Sequence, residues 1–88
     1  MSENCFVIER IEWIEKLDEK RVPYDRHECR DLCRVCHSLI DAMVFVEQGA
    51  GRDPYGMEWH GFRSYSGSFE DEDSREGLKY ILHCLYLY

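Results

Sequence analysis

Five cysteine and histidine residues within residues 27–37 form the one group in the sequence with the chemistry of metal ligands. They are His27, Cys29, Cys33, Cys36 and His37. Cys33 and Cys36 have the Cys-x-x-Cys spacing that zinc sites use. Such sites take further ligands from a second segment, and the sequence has no second Cys-x-x-Cys. A zinc-stabilised structural or adaptor module that uses Cys33, Cys36 and His37 is therefore an alternative interpretation. The leading interpretation is that the three thiols pack in a small apolar core and bind no metal, because free cysteine behaves as a small hydrophobe.

Signatures of catalysis are absent from the sequence. No serine lies in a Gly-x-Ser-x-Gly turn, and no Gly-Lys-Ser/Thr of a phosphate-binding loop follows the glycines of residues 49–51. The Cys33-x-x-Cys36 pair falls about two turns inside a predicted helix, whereas redox-active pairs lie at a helix N-terminus, where the dipole activates the thiol. We therefore expect no enzymatic activity and no cofactor.

A cluster of aromatic residues has the composition of a recognition surface. Tyr55, Trp59, Phe62 and Tyr65 lie in a segment that also holds Arg63, several serines and five of the six glycines. Large rigid rings supply contact area, and small polar residues supply adaptable hydrogen bonds. We predict that these four aromatic residues and Arg63 bind a protein partner. The alternative is that some of the rings fold back on a small core.

An acidic run follows the aromatic segment and consists of Glu70, Asp71, Glu72 and Asp73. Closely spaced carboxylates can imitate a line of phosphates and dock on an arginine and lysine patch of a partner. The alternative is a solvated helix start, where the helix dipole favours carboxylates. We predict that the four carboxylates guide the protein to a partner with a basic groove, such as a nucleic-acid-handling protein.

Apolar periodicity predicts the helices that would position these residues. In residues 7–20 and 25–48 the apolar side chains recur at spacings of three and four, which is typical of amphipathic helices. Asp25 and Glu28 have the spacing of a capping box at the start of the second helix. Gly49 supplies the residue that ends it.

A third helix is predicted at the C-terminus, where it begins at Ser68 or at Asp73. The predicted fold is all-α, a small three-helix bundle made of a single domain, residues 1–88. A glycine- and aromatic-rich loop, with room for a short β-hairpin, lies between the second and third helices. Because the third helix is apolar on most sides, we expect it to be the central element of the bundle; the alternative is that part of this C-terminal helix forms a homodimer interface.

Length and charge restrict the classes of partner. The chain has 88 residues, of which 44% are hydrophobic and 33% are charged, and its net charge is −7. This charge argues against direct binding to nucleic acid or to an anionic membrane. No stretch reaches the roughly 18 apolar residues of a membrane span, and the N-terminus lacks the layout of a signal peptide, so we expect a cytoplasmic protein with reduced thiols.

These observations predict a non-enzymatic protein-binding inhibitor or adaptor. The profile of short length, acidity and absent catalytic motif is similar to that of phage-encoded inhibitors of bacterial defence systems, anti-CRISPR and anti-restriction proteins included. The similarity covers size and charge. It implies that the protein occupies a basic nucleic-acid-binding surface of its partner and inhibits it by competition.

Overall fold

A computed structural model shows a five-stranded antiparallel sheet with one helix on one of its faces. The structure describes residues 3–50 and 56–87. In chain order the elements are β1 (Glu3–Leu17), β2 (Pro23–Cys36), α1 (Leu39–Ala50), β3 (Glu58–His60), β4 (Ser64–Glu70) and β5 (Ser74–Leu87). The strand order is β2-β1-β5-β4-β3, and every neighbouring pair is antiparallel. The predicted all-α three-helix bundle is therefore wrong.

The first predicted helix is instead the strand β1. Its sequence has helical spacing because β1 carries apolar residues on both faces. Directly paired residues of antiparallel strands point to the same face. Ile8 pairs with Leu82 on the face that α1 covers, which we call the helix face, whereas Ile11 pairs with Lys79 on the opposite face, which we call the open face. The helical spacing of the sequence mixes these two sets. Ile11 lies on the open face and Ile14 on the helix face, so together they imitate a single stripe.

The second predicted helix is correct only in its C-terminal part. Residues 25–36 belong to β2, and α1 begins at Leu39, after Ser38. The Ser38 hydroxyl accepts a hydrogen bond from the backbone N–H of Asp41 at 3.4 Å, which is the bond of an N-cap residue. The capping box at Asp25 and Glu28 is therefore wrong, and the true cap lies 13 residues later. No helix in the described part of the chain is long and apolar enough to cross a membrane.

The third predicted helix is also wrong, because β5 occupies residues 74–87. β5 pairs with β1 along one edge and with β4 along the other. Its apolar character is that of a central strand, which is partly buried on both faces. The described residues thus contain no C-terminal helix that could form a dimer interface. The loop expected between helices contains a β3–β4 hairpin, and this hairpin is part of the sheet.

The hydrophobic core lies between α1 and one half of the sheet. Its buried members are Ile8, Cys36, Ala42, Val46, Leu78, Tyr80 and Leu82. The 12 residues of α1 span about 18 Å, whereas the 14 residues of β5 span about 46 Å. The helix therefore covers one half of the sheet, which we call the covered half. The other half, around residues 12–17 of β1 and 74–77 of β5, has no second layer of secondary structure among the described residues, and we call it the open half.

Candidate functional site

Two turns meet at the far end of the open half. The β1–β2 turn follows Leu17, and the β4–β5 turn precedes Ser74, so the antiparallel pairing of β1 with β5 brings them side by side. The backbone N–H of Leu17 donates a hydrogen bond to the carbonyl oxygen of Asp73 at 2.8 Å. We call residues 18–21 and 70–73 the acidic tip.

Arg21 holds the two turns of the acidic tip together. Its guanidinium lies 2.6 Å from the Glu70 carboxylate and donates to the carbonyl oxygen of Asp71 at 3.5 Å. Arg21 has a φ of 63°, in the left-handed region that residues with a Cβ rarely adopt. The Asp18 carboxylate supports this turn, because it accepts the backbone N–H groups of Lys20 and Val22, each at 2.9 Å. An arginine thus stands where glycine would be favoured, and its side chain makes the contact that glycine cannot.

The acidic tip concentrates the negative charge of the molecule. It carries six carboxylates against two cations, a net charge of −4 out of −7 for the chain. All eight residues are exposed. The hydrogen bond from Arg21 and the charges of Arg21 and Arg75 lower the pKa of Glu70, so this carboxylate stays ionised below the usual range of glutamate.

Three carboxylates of the tip point to solvent without a partner in the described structure. The side chains of Glu19, Glu72 and Asp73 make no hydrogen bond or ion pair among residues 3–50 and 56–87. By contrast, Asp71 accepts the backbone N–H of Glu72 at 2.8 Å within its own turn. The unpaired carboxylates are therefore free to receive cations from another molecule.

The predicted aromatic anchors divide into two groups. Trp59 and Tyr65 are half-buried and pack against the core, with ring centroids 4.7 Å apart. The indole N–H of Trp59 also donates to the Glu47 carboxylate of α1 at 2.7 Å. These two rings thus cover the edge of the core beside α1. Tyr55 lies outside the described residues.

Phe62 and Arg63 form an exposed turn between β3 and β4. Phe62 is 68% exposed, and Arg63 holds the turn to β5 because its carbonyl oxygen accepts the backbone N–H of Leu82 at 2.7 Å. The seven residues of β4 separate this turn from Glu70, a distance of about 23 Å along the strand. The structure therefore does not bring Phe62 and Arg63 together with the carboxylates of residues 70–73.

The cysteine and histidine residues are spread along β2 and beyond its end. Cys33 is exposed, Cys36 is buried against α1 and His37 is exposed. All five cysteines of the chain are free. Among the residues that the structure describes, no group of three or more histidine, cysteine or acidic side chains is placed to hold a metal ion. The geometry gives no support to the zinc alternative. The expectation that Cys29 and Cys33 face the core is wrong, because both are exposed on β2 and Cys36 alone of the three is buried.

The open face of the sheet has a balanced charge. Arg26 is paired with Glu15, Arg30 lies 3.4 Å from Glu28, and Arg75 lies 3.9 Å from Glu15. The hydrogen bond from Arg30 lowers the pKa of Glu28. Among the residues that the structure describes, these three arginines of the open face are each paired with a carboxylate of the same sheet.

Sequence reasoning missed half of the acidic tip. Residues 70–73 were recognised by their charge, but Asp18, Glu19 and Arg21 were not singled out. The sequence signal is the polar run just before Val22-Pro23, because the residue before a proline is pushed out of the helical conformation and a helix therefore ends there. That signal places a turn in the sequence but does not show which other turn lies beside it.

Comparison of the chain with protein-family models, with curated proteins and with solved structures finds no match. The basis for a functional proposal is therefore the geometry and charge of the site.

Proposed function

We propose that this protein acts by binding, and that the acidic tip docks on a basic surface of a partner that handles nucleic acid. The observation that carries this proposal is the joining of two turns by Arg21 and Asp73, which gathers six exposed carboxylates at one end of the molecule. A pre-ordered cluster pays little entropy on binding, because its backbone is already held in place. Competition with nucleic acid for that surface would make the protein an inhibitor.

The distribution of charge supports docking by the tip. A concentrated field at one end of a molecule steers and orients its encounter with an opposite charge more effectively than the same charge spread evenly. The open face contributes little net field, because its arginines and glutamates are paired. The absence of catalytic activity stays a prediction, and it accords with a site made of carboxylates on a solvent-exposed turn.

The test is a charge reversal that spares the contacts of the fold. In the variant Glu72→Lys/Asp73→Lys, the altered side chains make no ion pair in the described structure, whereas Glu70 is left to bind Arg21. The matched control, Asp41→Lys/Glu58→Lys, changes the net charge equally at exposed positions away from the tip. Immobilised proteins are exposed to a lysate from the source cells, and the retained proteins are then challenged with double-stranded DNA and with RNA.

We expect the wild type and the control to retain the same protein, and the tip variant to lose it. We also expect nucleic acid to displace it, and retention to weaken with added salt, because exposed charges are screened. Retention by the tip variant equal to that of the wild type would remove the tip from the proposal. Retention that nucleic acid cannot displace would remove the nucleic-acid-handling partner.

Contact through the Phe62 turn is a separate prediction, because β4 holds it away from the tip. The variant Phe62→Ala/Arg63→Ala removes the exposed ring and cation without changing the acidic tip. If both ends contact one large partner, this variant weakens retention. If only the tip is used, retention stays at the level of the wild type.

A further inference from the structure

β2 is a long edge strand with one unpaired side. It has 14 residues, and its inner side pairs with β1. Among the described residues no strand pairs with its outer side. Every residue from Arg26 to Val35 is exposed, including Leu32 at 72%. An exposed edge of this length presents a row of free backbone N–H and C=O groups to any strand that can pair with it.

The regular part of this edge runs from Asp25 to Leu32. The register of β2 against β1 shifts between Ile8 and Glu9 and again between Lys16 and Leu17, which leaves irregularities near Cys33 and Tyr24. Such bulges bend a strand and interrupt pairing. Eight residues between them keep an even ladder, and these are the residues that a new strand would meet.

In this regular part, Glu28 and Arg30, on the two sides of Cys29, have opposite charges, and His27 and Asp31 form a second complementary pair about it. The sequence reads His27-Glu28-Cys29-Arg30-Asp31. In an antiparallel pair of two such strands centred on Cys29, Glu28 lies opposite the partner's Arg30, and His27 lies opposite the partner's Asp31. Two-fold symmetry repeats each contact. Cross-strand pairs of opposite charge stabilise a sheet, and like charges placed directly opposite destabilise it.

Two-fold symmetry limits the registers to those centred on a residue, and the charges and the extent of the regular part favour the one centred on Cys29. Two antiparallel strands related by a two-fold axis must keep their pleats aligned, so the axis passes through a residue and places it opposite its own copy. From Asp25 to Asp31, His27 and Cys29 are the two residues without a fixed charge. A register centred on His27 pairs only residues 25–29 of the regular part, whereas one centred on Cys29 pairs residues 26–32. A register centred on Glu28 opposes two glutamates, and one centred on Arg30 opposes two arginines. A register centred on Leu32 places Arg30 opposite the partner's Arg34.

We propose that this chain forms a two-fold symmetric homodimer by antiparallel pairing of β2 with the β2 of a second copy, centred on Cys29. The axis is perpendicular to the sheet, so the two sheets join into one of ten strands with both helices on the same face. Glu28 and Arg30, which already lie 3.4 Å apart within one chain, extend into an ion-pair network across the junction. This interface differs from the C-terminal helix expected from the sequence.

The position of Cys29 on the axis gives a direct test. Paired residues of antiparallel strands have Cα atoms about 4.5 to 5.5 Å apart, so the two Cys29 thiols lie within reach of a short bifunctional thiol reagent. The two Cys33 thiols lie four residues from the axis on opposite sides, about 27 Å apart. The variant Cys33→Ser/Cys84→Ser keeps Cys29 as its exposed cysteine, and the matched variant Cys29→Ser/Cys84→Ser keeps Cys33.

Each variant is first reduced, and the reagent is then added. We expect the short reagent to link two copies of the variant that keeps Cys29 and not two copies of the variant that keeps Cys33. Equal linking of both variants would show random collision and would overturn the proposal. Failure of the first variant to link, together with a monomeric mass of the wild type by sedimentation at every concentration, would also overturn it.

Charge reversal tests the register independently of the thiols. The variant Glu28→Arg places like charges opposite each other twice, and we expect the dimer dissociation constant to rise on the order of tenfold or more. The double variant Glu28→Arg/Arg30→Glu has the wild-type net charge and restores both pairs, so we expect it to restore the dimer. Circular dichroism checks that each variant is folded. A double variant as weak as the single one would overturn the register centred on Cys29.

Discussion

The covered half and the open half of the sheet are stabilised in different ways. In the covered half, Ile8 and Val46 are fully buried between the sheet and α1. In the open half none of the described residues forms a helix as a partner layer, and the ring of Trp13 lies on the sheet over Gly77. A Cβ atom at position 77 would lie 2.4 Å from that ring. The Arg26 guanidinium lies over the Trp13 ring, 4.9 Å from its centroid.

This difference shows how a sheet can extend beyond its core. The open half covers its apolar atoms with side chains of its own strands. The ring of Trp13 covers Gly77, and the side chain of Arg26 covers the ring. Ile11 is only 4% exposed on the open face, where Arg30 and Lys79 lie directly opposite it in the two neighbouring strands. The open half thus holds the acidic tip at the end of the sheet that α1 does not cover.

Truncation of isoleucine in the two halves should produce the largest contrast. Ile8 and Ile14 lie on the same face of β1, but Ile8 is 0% exposed and Ile14 is 39% exposed. We expect Ile8→Ala to lower the free energy of unfolding by about 2 to 5 kcal/mol, because it leaves a cavity under α1. Ile14→Ala should cost less than about 1 kcal/mol. Urea denaturation of both variants measures the difference, and equal losses would show that the open half is as well packed as the covered half.

The variant Gly77→Ala tests the packing of the open half. We expect it to lower the free energy of unfolding by about 1 to 3 kcal/mol, because the added methyl group displaces the Trp13 ring. In a Trp13→Ala background the same change should cost much less, since there is no ring to displace. A double-mutant cycle by urea denaturation measures this coupling. Additive effects would mean that the ring does not lie on Gly77 in solution.

Replacement of Arg26 tests the outer layer over Trp13. Arg26→Lys keeps the charge that faces Glu15 but loses the planar group that stacks on the indole. We expect a loss of about 0.5 to 1 kcal/mol, the usual contribution of an exposed cation over an aromatic ring. Thermal denaturation measures it, and the fluorescence of Trp13 should change as the ring becomes more exposed. Full stability in the lysine variant would show that charge alone is needed.

The smallest expected effect is the pH dependence of the tip. Because the folded pKa of Glu70 is lowered, its pairing with Arg21 stabilises the fold above the ordinary glutamate pKa of 4.5 and is lost as pH falls through the folded value. NMR titration of the Glu70 carboxyl carbon should show this lowered pKa. Arg21→Gly should raise it toward the ordinary value, while glycine accepts the positive φ at position 21. An unchanged pKa in that variant would contradict the link between the two turns.

The sequence predicted α1 correctly where its pattern was undisturbed. The spacing of Leu39, Ile40, Met43 and Val46 is helical, and these residues lie in α1. The prediction failed in β1 and β5 because both are central strands with apolar residues on each face, which hides the two-residue period. In β2 it failed because Cys29, Leu32, Cys33 and Cys36 have helical spacing by sequence, although only Cys36 is buried.

The candidate site was predictable in its charge and not in its geometry. Residues 70–73 stand out as an acidic run. The prediction that they lie at the start of a helix was wrong, because they lie at the turn between β4 and β5. Residues 70–73 lie close to Asp18 and Arg21 because β1 pairs with β5. That pairing joins residues at opposite ends of the chain, and no local pattern specifies it.

The pairing of β1 with β5 also leads us to expect a definite order of events in folding. The β1–β2 hairpin and the β3–β4–β5 meander each form from neighbouring segments, but Lys16 pairs with Ser74 and Glu3 pairs with Leu87 across almost the whole chain. Closing so long a loop carries an entropic cost that later contacts must offset, so we expect assembly in the slow range of small proteins, roughly milliseconds to seconds. Until the two subassemblies join, β1 and β5 each expose an apolar edge, and a newly made chain is most vulnerable to aggregation in that interval.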